Sequence, residues 1–164
     1  GGTDTAIVTI TVTPDATNEA PVHSVPGAQT VGQDLTLVFN EANGNRIVVR
    51  DDAGGSTIDV TLTVANGTAT LSGTTGLSVS GNGTASVTLS GTLSDINAAL
   101  DGLVYTPNVA YLGADSLSLS VDDLGNFGAG GAQLTTGAVA INVFDYNVPP
   151  VNDVPSGVVT VRST

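Results

Sequence analysis

The chain has 164 residues and a formal net charge of −12; three arginines are its only cations besides one histidine, and it has no lysine and no cysteine. That composition excludes a disulfide framework, a thiolate metal site and a cysteine nucleophile. It also speaks against nucleic acid and against anionic membrane surfaces, because both are held by Lys and Arg. No apolar stretch is long enough to span a bilayer, and there is no signal-peptide pattern.

Val8, Ile10 and Val12 alternate with Thr9 and Thr11, which predicts a half-buried strand close to the start. Asp15, Asn18 and Glu19 follow in a linker that ends at Pro21. The apolar run Ile47–Val49 predicts a strand with Asp51 and Asp52 just beyond it. Ile58, Val60, Leu62 and Val64 alternate with Thr57, Asp59, Thr61 and Thr63, a third strand pattern. Asn66-Gly67-Thr68-Ala69 then recurs as Asn82-Gly83-Thr84-Ala85. Asn-Gly suits a type I′ turn, which needs positive φ at both central positions. The repeated tetrapeptide therefore predicts two hairpins of one meander, the first reversing the strand that ends at Val64 and the second the strand carrying Leu77 and Val79. Both also match the Asn-x-Thr glycosylation sequon, although turn chemistry already accounts for each residue. Val87 and Leu89 continue the alternation.

Ser94–Leu100 breaks the β pattern. Ser94 reads as an N-cap, Asp95 lies in the first turn, Ile96 and Leu100 share a face, and Gly102 reads as the residue past the C-cap. The pattern predicts a helix of about two turns near Ser94–Asp101 that crosses between strands. Leu103, Tyr105 and Pro107 resume an extended path; Leu117, Leu119 and Val121 form another strand, followed by Asp122, Asp123 and the glycine-rich Gly125–Gly131. Val139, Ile141 and Val143 close the series before Asp145 and a second linker holding Asn152 and Asp153.

The chain also repeats itself end to end. "APVHSVPGAQTV" at Ala20–Val31 is echoed by "PPVNDVPSGVVTV" at Pro149–Val161, and "GGTDTAIVTITV" at Gly1–Val12 by "GGAQLTTGAVAINV" at Gly130–Val143. The expected organisation is the last strand of one repeat (1–13), a linker (14–20), one complete sandwich (21–145), a linker (146–153) and the first strand of the next repeat (154–164). Such units fold alone, as beads on a string. The two terminal strands, cut off from their parent sheets, are expected to pair with each other or with a neighbouring molecule.

"TDTAIVTITVTPDATNEAPV", "LSDINAALDGLVYTPN", "YLGADSLSLSVDDLGNFGAGG" and "AVAINV" resemble the cadherin-like, immunoglobulin-like tandem repeats of giant bacterial adhesins of the RTX type. The resemblance covers essentially the whole chain. It implies an all-β immunoglobulin/cadherin-like sandwich on the bacterial cell surface, exported by type I secretion, taking part in biofilms, and stiffened by calcium between neighbouring repeats. Two positions depart from the family pattern. Asn18-Glu19 stands where Asn-Asp is commoner, which keeps an oxygen ligand. Gly32-Gln33-Asp34 stands where an acidic pair is commoner, which weakens the case for a ligand near residue 33.

The residues themselves point the same way. Calcium needs six to eight hard oxygen ligands gathered from several loops. Asp15 and Glu19, Asp51 and Asp52, Asp122 and Asp123, and Asp145 and Asp153 sit where strands end, and close like charges repel unless a cation neutralises them. The alternative is that these aspartates simply start turns. The expected cluster at one pole is Asn18, Glu19, Asp51, Asp52, Asp122 and Asp123, with the Asp51 loop put at the linker end by the resemblance. Glu41 is a weaker candidate because its pole is undetermined. Asp145, Asn152 and Asp153 supply oxygens at the second linker.

Other chemistries fare worse. His23 lacks a second histidine or any cysteine for a transition metal. Gly125–Gly131 follows a strand but opens no helix and has no lysine, so a phosphate-binding loop fails on context; it reads as a flexible loop that lets Asp122 and Asp123 close on an ion. Phe39 and Tyr105 read as core, and Tyr111 and Phe127 as the aromatics left for a ligand. The sequence thus predicts a structural extender, not an enzyme. It projects a distal binding domain, and its partners are calcium and the neighbouring repeats of its own chain. A module with weak carbohydrate or surface-ligand contact is the alternative.

Overall fold

The computed structural model describes residues 1–3, 8–11 and 17–146. Eleven strands and one helix fill Val22 to Phe144: β1 (Val22–Ser24), β2 (Gln29–Gly32), β3 (Leu37–Phe39), β4 (Val48–Arg50), β5 (Thr57–Thr63), β6 (Gly67–Thr70), β7 (Ser78–Ser80), β8 (Ser86–Thr92), α1 (Leu93–Leu100), β9 (Leu103–Pro107), β10 (Gly113–Asp122) and β11 (Leu134–Phe144). The fold is an all-β sandwich. One sheet has six strands in the order β2-β11-β10-β5-β8-β7, a second has three in the order β3-β9-β6, and β1 pairs with β4.

Alternation decides which side chains go inside. Ile58, Val60 and Leu62 of β5, Val87 and Leu89 of β8, Leu117, Leu119 and Val121 of β10, and Val139, Ile141 and Val143 of β11 are all buried. They join Phe39, Ala69, Leu103 and Tyr105 of the smaller sheet, and Ile96, Ala99 and Leu100 of α1, in a single hydrophobic cluster. The opposite face of the large sheet carries serine and threonine. Each fully buried Leu or Ile contributes about 1.5–3 kcal/mol relative to exposure. A one-residue register slip would turn that entire set to water, so the pattern fixes the register.

The two Asn-Gly pairs behave differently. Asn82-Gly83 does reverse a strand: β7 and β8 pair antiparallel, Ser80 opposite Thr88, and Gly83 has φ 79°. Asn66-Gly67 does not form the predicted hairpin. The backbone N–H groups of Ala65 and Asn66 donate to the Asp115 carboxylate at 3.1 and 3.0 Å, and β6 passes to the other sheet, where Gly67 pairs with Pro107 of β9. Gly67 is required for close approach: a Cβ there would lie 2.5 Å from the Thr106 carbonyl oxygen and 2.6 Å from the Tyr105 ring. β5 therefore pairs with β8, not β6, and the simple meander is replaced by a crossover.

The helix also starts earlier than predicted. Thr92, not Ser94, is the N-cap; its hydroxyl accepts from the Asp95 N–H at 3.3 Å. Asn97 faces β4, donating from its side-chain amide to the Val49 carbonyl and accepting from the Val49 N–H, so it finishes a strand edge. Val8 to Thr11 forms no strand, and Val8 and Ile10 are 80% and 81% exposed. Alternation alone cannot hold a strand that has no partner edge. Asp15, Asn152, Asp153 and the predicted strand 154–164 lie outside the described residues.

Asp115 ties the corner to the core. Besides the two N–H groups of the crossover, it accepts from the Tyr105 hydroxyl at 2.8 Å and from the Ser116 N–H. Tyr105→Phe should cost about 1–2 kcal/mol of unfolding free energy, and Asp115→Ala about 3 kcal/mol or more, since it removes at once the acceptor of the buried Tyr105 hydroxyl and of three partly buried backbone N–H groups. Urea denaturation measures both. Equal losses for the two variants would mean that the backbone donors of the corner add nothing.

Candidate metal centre

β10 ends at Asp122, and antiparallel β11 starts next to it at Leu134 and runs to Phe144 at the far end. Asp122, Asp123 and the start of β11 therefore share one pole, called proximal, and Asp145 follows β11 at the distal pole. The chain reaches the proximal pole through Thr17 and Asn18. There Asn18 is 6% exposed and Asp123 is fully buried. The Asn18 side-chain amide donates to Asp123 Oδ2 and to the Gly131 carbonyl, both at 2.7 Å. The Glu19 N–H donates to Asp52 Oδ2 at 3.4 Å, and a cleft of about 260 Å³ opens between Glu19–Val22 and Arg50–Asp52. Asn18, Glu19, Asp51, Asp52 and Asp123 are thus brought together from the linker, the end of β4 and the end of β10, across as many as 105 residues of sequence.

The carboxylates at this pole have opposite electrostatic situations. Burial alone would raise the Asp123 pKa. The N–H groups of Gln133 and Gly125 donate to its Oδ1 and the Asn18 amide to its Oδ2, and together they hold it below the usual carboxylate range. Asp51 is pushed up, first by burial and then by the negative charges of Asp52 and Asp123. Both Asp51 oxygens, Asp52 Oδ1 and Asn18 Oδ1 are buried without a hydrogen bond of good geometry, and the Ala53 and Asp52 N–H groups near Asp51 offset the rise in its pKa only in part. A buried acceptor without a well-formed hydrogen bond is costly, and here four of them belong to hard oxygen ligands. Both salt bridges among the described residues belong to Arg46, with Glu41 and Asp101, so Arg50 neutralises none of these acids by an ion pair.

The remaining predicted ligands are elsewhere. Asp122 lies on the outer face of the large sheet, directly opposite Asp59 in the register, and its Oδ1 accepts from the Leu124 N–H. Asp59 Oδ1 is itself buried without a donor, a second like-charge pair that the alternation pattern alone did not flag. Glu41 is paired with Arg46 at 3.2 Å. Asp145 is exposed beyond β11. Among the described residues no three His, Cys, Asp or Glu side chains form a ready-made metal cage. A cation at the proximal pole would therefore draw on Asn18 Oδ1, Asp51 and Asp52, with water completing its shell. The donor set, all oxygen, fits calcium and not a transition metal. His23 stands apart, its ring against Gly137 of β11.

The aromatics predicted to be free are not presented as a platform. Tyr111 packs against the core with its hydroxyl donating to the Ala114 carbonyl, and Phe127 is half-buried. Phe144 and Tyr146, 42% and 67% exposed, are the rings that face solvent instead. Compared with protein-family models and with curated proteins, the chain matches none.

The pKa directions fix a pH profile. Asp123 and Asp115 are both held below their unfolded values, so their stabilisation is complete above about pH 4 and is lost as pH falls through the depressed folded values. Asp51 works the other way: its charge is a burden at neutral pH that lifts as pH falls from its raised folded value to below its unfolded value. In chelator, melting temperature should rise slightly as pH falls through the raised Asp51 value and then collapse below about 4, where Asp123 and Asp115 take up protons. Asp51→Asn should abolish the rise and keep the collapse.

Proposed function

We propose that this domain is a spacer unit of a larger cell-surface adhesin of the calcium-stiffened, cadherin-like kind, without catalytic activity of its own. Its work is mechanical: it sets reach and direction between neighbouring units, and calcium at the proximal pole fixes the linker to the domain. The observation that carries the reading is the set of buried oxygens without a well-formed hydrogen bond on Asn18, Asp51 and Asp52, one of them on the linker itself. The sequence resemblance and the tandem echoes at Pro149–Val161 support the same reading. Extracellular placement and export by type I secretion belong to the proposal.

The role of each residue follows from its bonds. Asp51 and Asp52 supply the charge, and Asn18 a neutral oxygen from the linker side. Glu19 sits at the rim. Asp123 is already saturated with protein donors, so it anchors Asn18 and does not need the ion. Sites of extracellular modules bind calcium at about 0.1–1 mM. At tenfold excess over such a dissociation constant one site adds about 1.4 kcal/mol. Melting temperature should therefore rise when chelator is replaced by millimolar calcium. Asp51→Asn should remove most of that gain and leave the chelated protein as stable or slightly more so. Asp123→Ala should destabilise the protein with or without calcium. Identical melting in calcium and in chelator would refute the calcium reading.

A further inference from the structure

The glycine-rich segment between β10 and β11 is not free to swing. Thr17 forms a parallel bridge with Ala129, and the Asn18 N–H donates to the Ala129 carbonyl at 3.0 Å. The Asn18 side-chain amide donates to the Gly131 carbonyl, and the Gln133 side-chain amide donates to the Asn18 carbonyl. Three of the four polar groups of Asn18 are thus held by Ala129–Gln133 and Asp123, and only Oδ1 is left. Gly128 makes the contact sterically feasible. A Cβ there would stand 2.6 Å from the Thr17 carbonyl carbon and 2.8 Å from the Asn18 nitrogen, and the residue has φ +70°.

We propose that Gly128–Gln133 is a preformed latch for the linker, locking Thr17 and Asn18 onto the domain through protein hydrogen bonds alone and leaving Oδ1 as the one polar atom of Asn18 without a partner. In this reading the loop grips the chain that arrives from the preceding segment. The second half of the proposal, that the latch prepares the cation site, rests on the calcium reading above. The first half does not. By linkage, a latch that favours calcium is itself favoured by calcium to the same extent.

The test is amide hydrogen exchange on the whole chain in chelator, with Asn18 as the reporter. In the wild type its N–H should be protected, and Gly128→Ala should speed its exchange by about tenfold or more while the β10 and β11 amides stay protected. Gly44→Ala is the control. It imposes the same left-handed strain at φ +69°, meets nothing within 4 Å and lies outside the latch, so the protection of Asn18 should survive. Unprotected Asn18 in the chelated wild type, or equal losses in both variants, overturns the latch. Calcium titration followed by melting temperature tests the coupling: Gly128→Ala should weaken calcium several-fold, and an unchanged affinity overturns the coupling alone. If calcium binds to neither protein, the calcium reading fails, and the chelator experiment still decides the latch.

Discussion

A carboxylate taken out of water must find donors or a counter-charge, and this domain is organised around where that demand is met. One buried aspartate lies near the start of β10 and another directly after its end. Asp115 meets the demand with the Tyr105 hydroxyl and three backbone N–H groups. In doing so it pins the corner where the chain leaves the large sheet for the small one. Asp123 meets it with two backbone N–H groups and the Asn18 amide, and pins the linker. Asp51 and Asp52 meet it only in part: neither Asp51 oxygen nor Asp52 Oδ1 has a well-formed hydrogen bond, and Asp52 Oδ2 has the long one from the Glu19 N–H. The same side chain is a structural post in two places and an incompletely compensated charge in the third, and only the donors around it make the difference.

That contrast explains what was legible in the sequence. Alternation located β5, β8, β10 and β11, because a half-buried strand must write its faces at period two. The acids at strand ends pointed to Asp51 and Asp52 for the same reason: a strand end is where the chain turns to solvent. What the sequence did not disclose is who donates to whom. Asn66-Gly67 has the chemistry of a hairpin turn, yet Asp115, some 49 residues away, takes the N–H groups of Ala65 and Asn66 and sends the chain across. A local turn preference of a kcal/mol or so cannot compete with satisfying a buried charge. Asp123 looked like the twin of Asp122, but one step along a strand reverses the face, and so one is buried in the pole and the other lies on the outer surface. The N-cap shifted from Ser94 to Thr92 for a smaller reason. The hydroxyl of Thr92 reaches both the N–H and the carboxylate of Asp95, closing a local box that two neighbouring hydroxyls could equally have claimed.

Under the proposed function, stiffness has two sources that act in series on the same residue. Asn18 is held on one side by protein donors and acceptors from the β10–β11 loop, and its free oxygen is left for a cation shared with the β4 end. The two contribute differently. Hydrogen bonds to a glycine-rich loop resist bending only as long as the loop holds its shape, and each contributes about 0.5–1.5 kcal/mol. A cation without the latch would have to order the linker itself, at about 1–2 kcal/mol per residue fixed. Joined at Asn18, the latch removes that ordering cost before the ion arrives, and the ion removes the repulsion among Asp51, Asp52 and Asp123 that the latch leaves in place. A linker built this way is directed by its domain at all times and becomes rigid only where the cation is abundant, which is the behaviour expected of a spacer that must stay pliant until it reaches a calcium-rich medium.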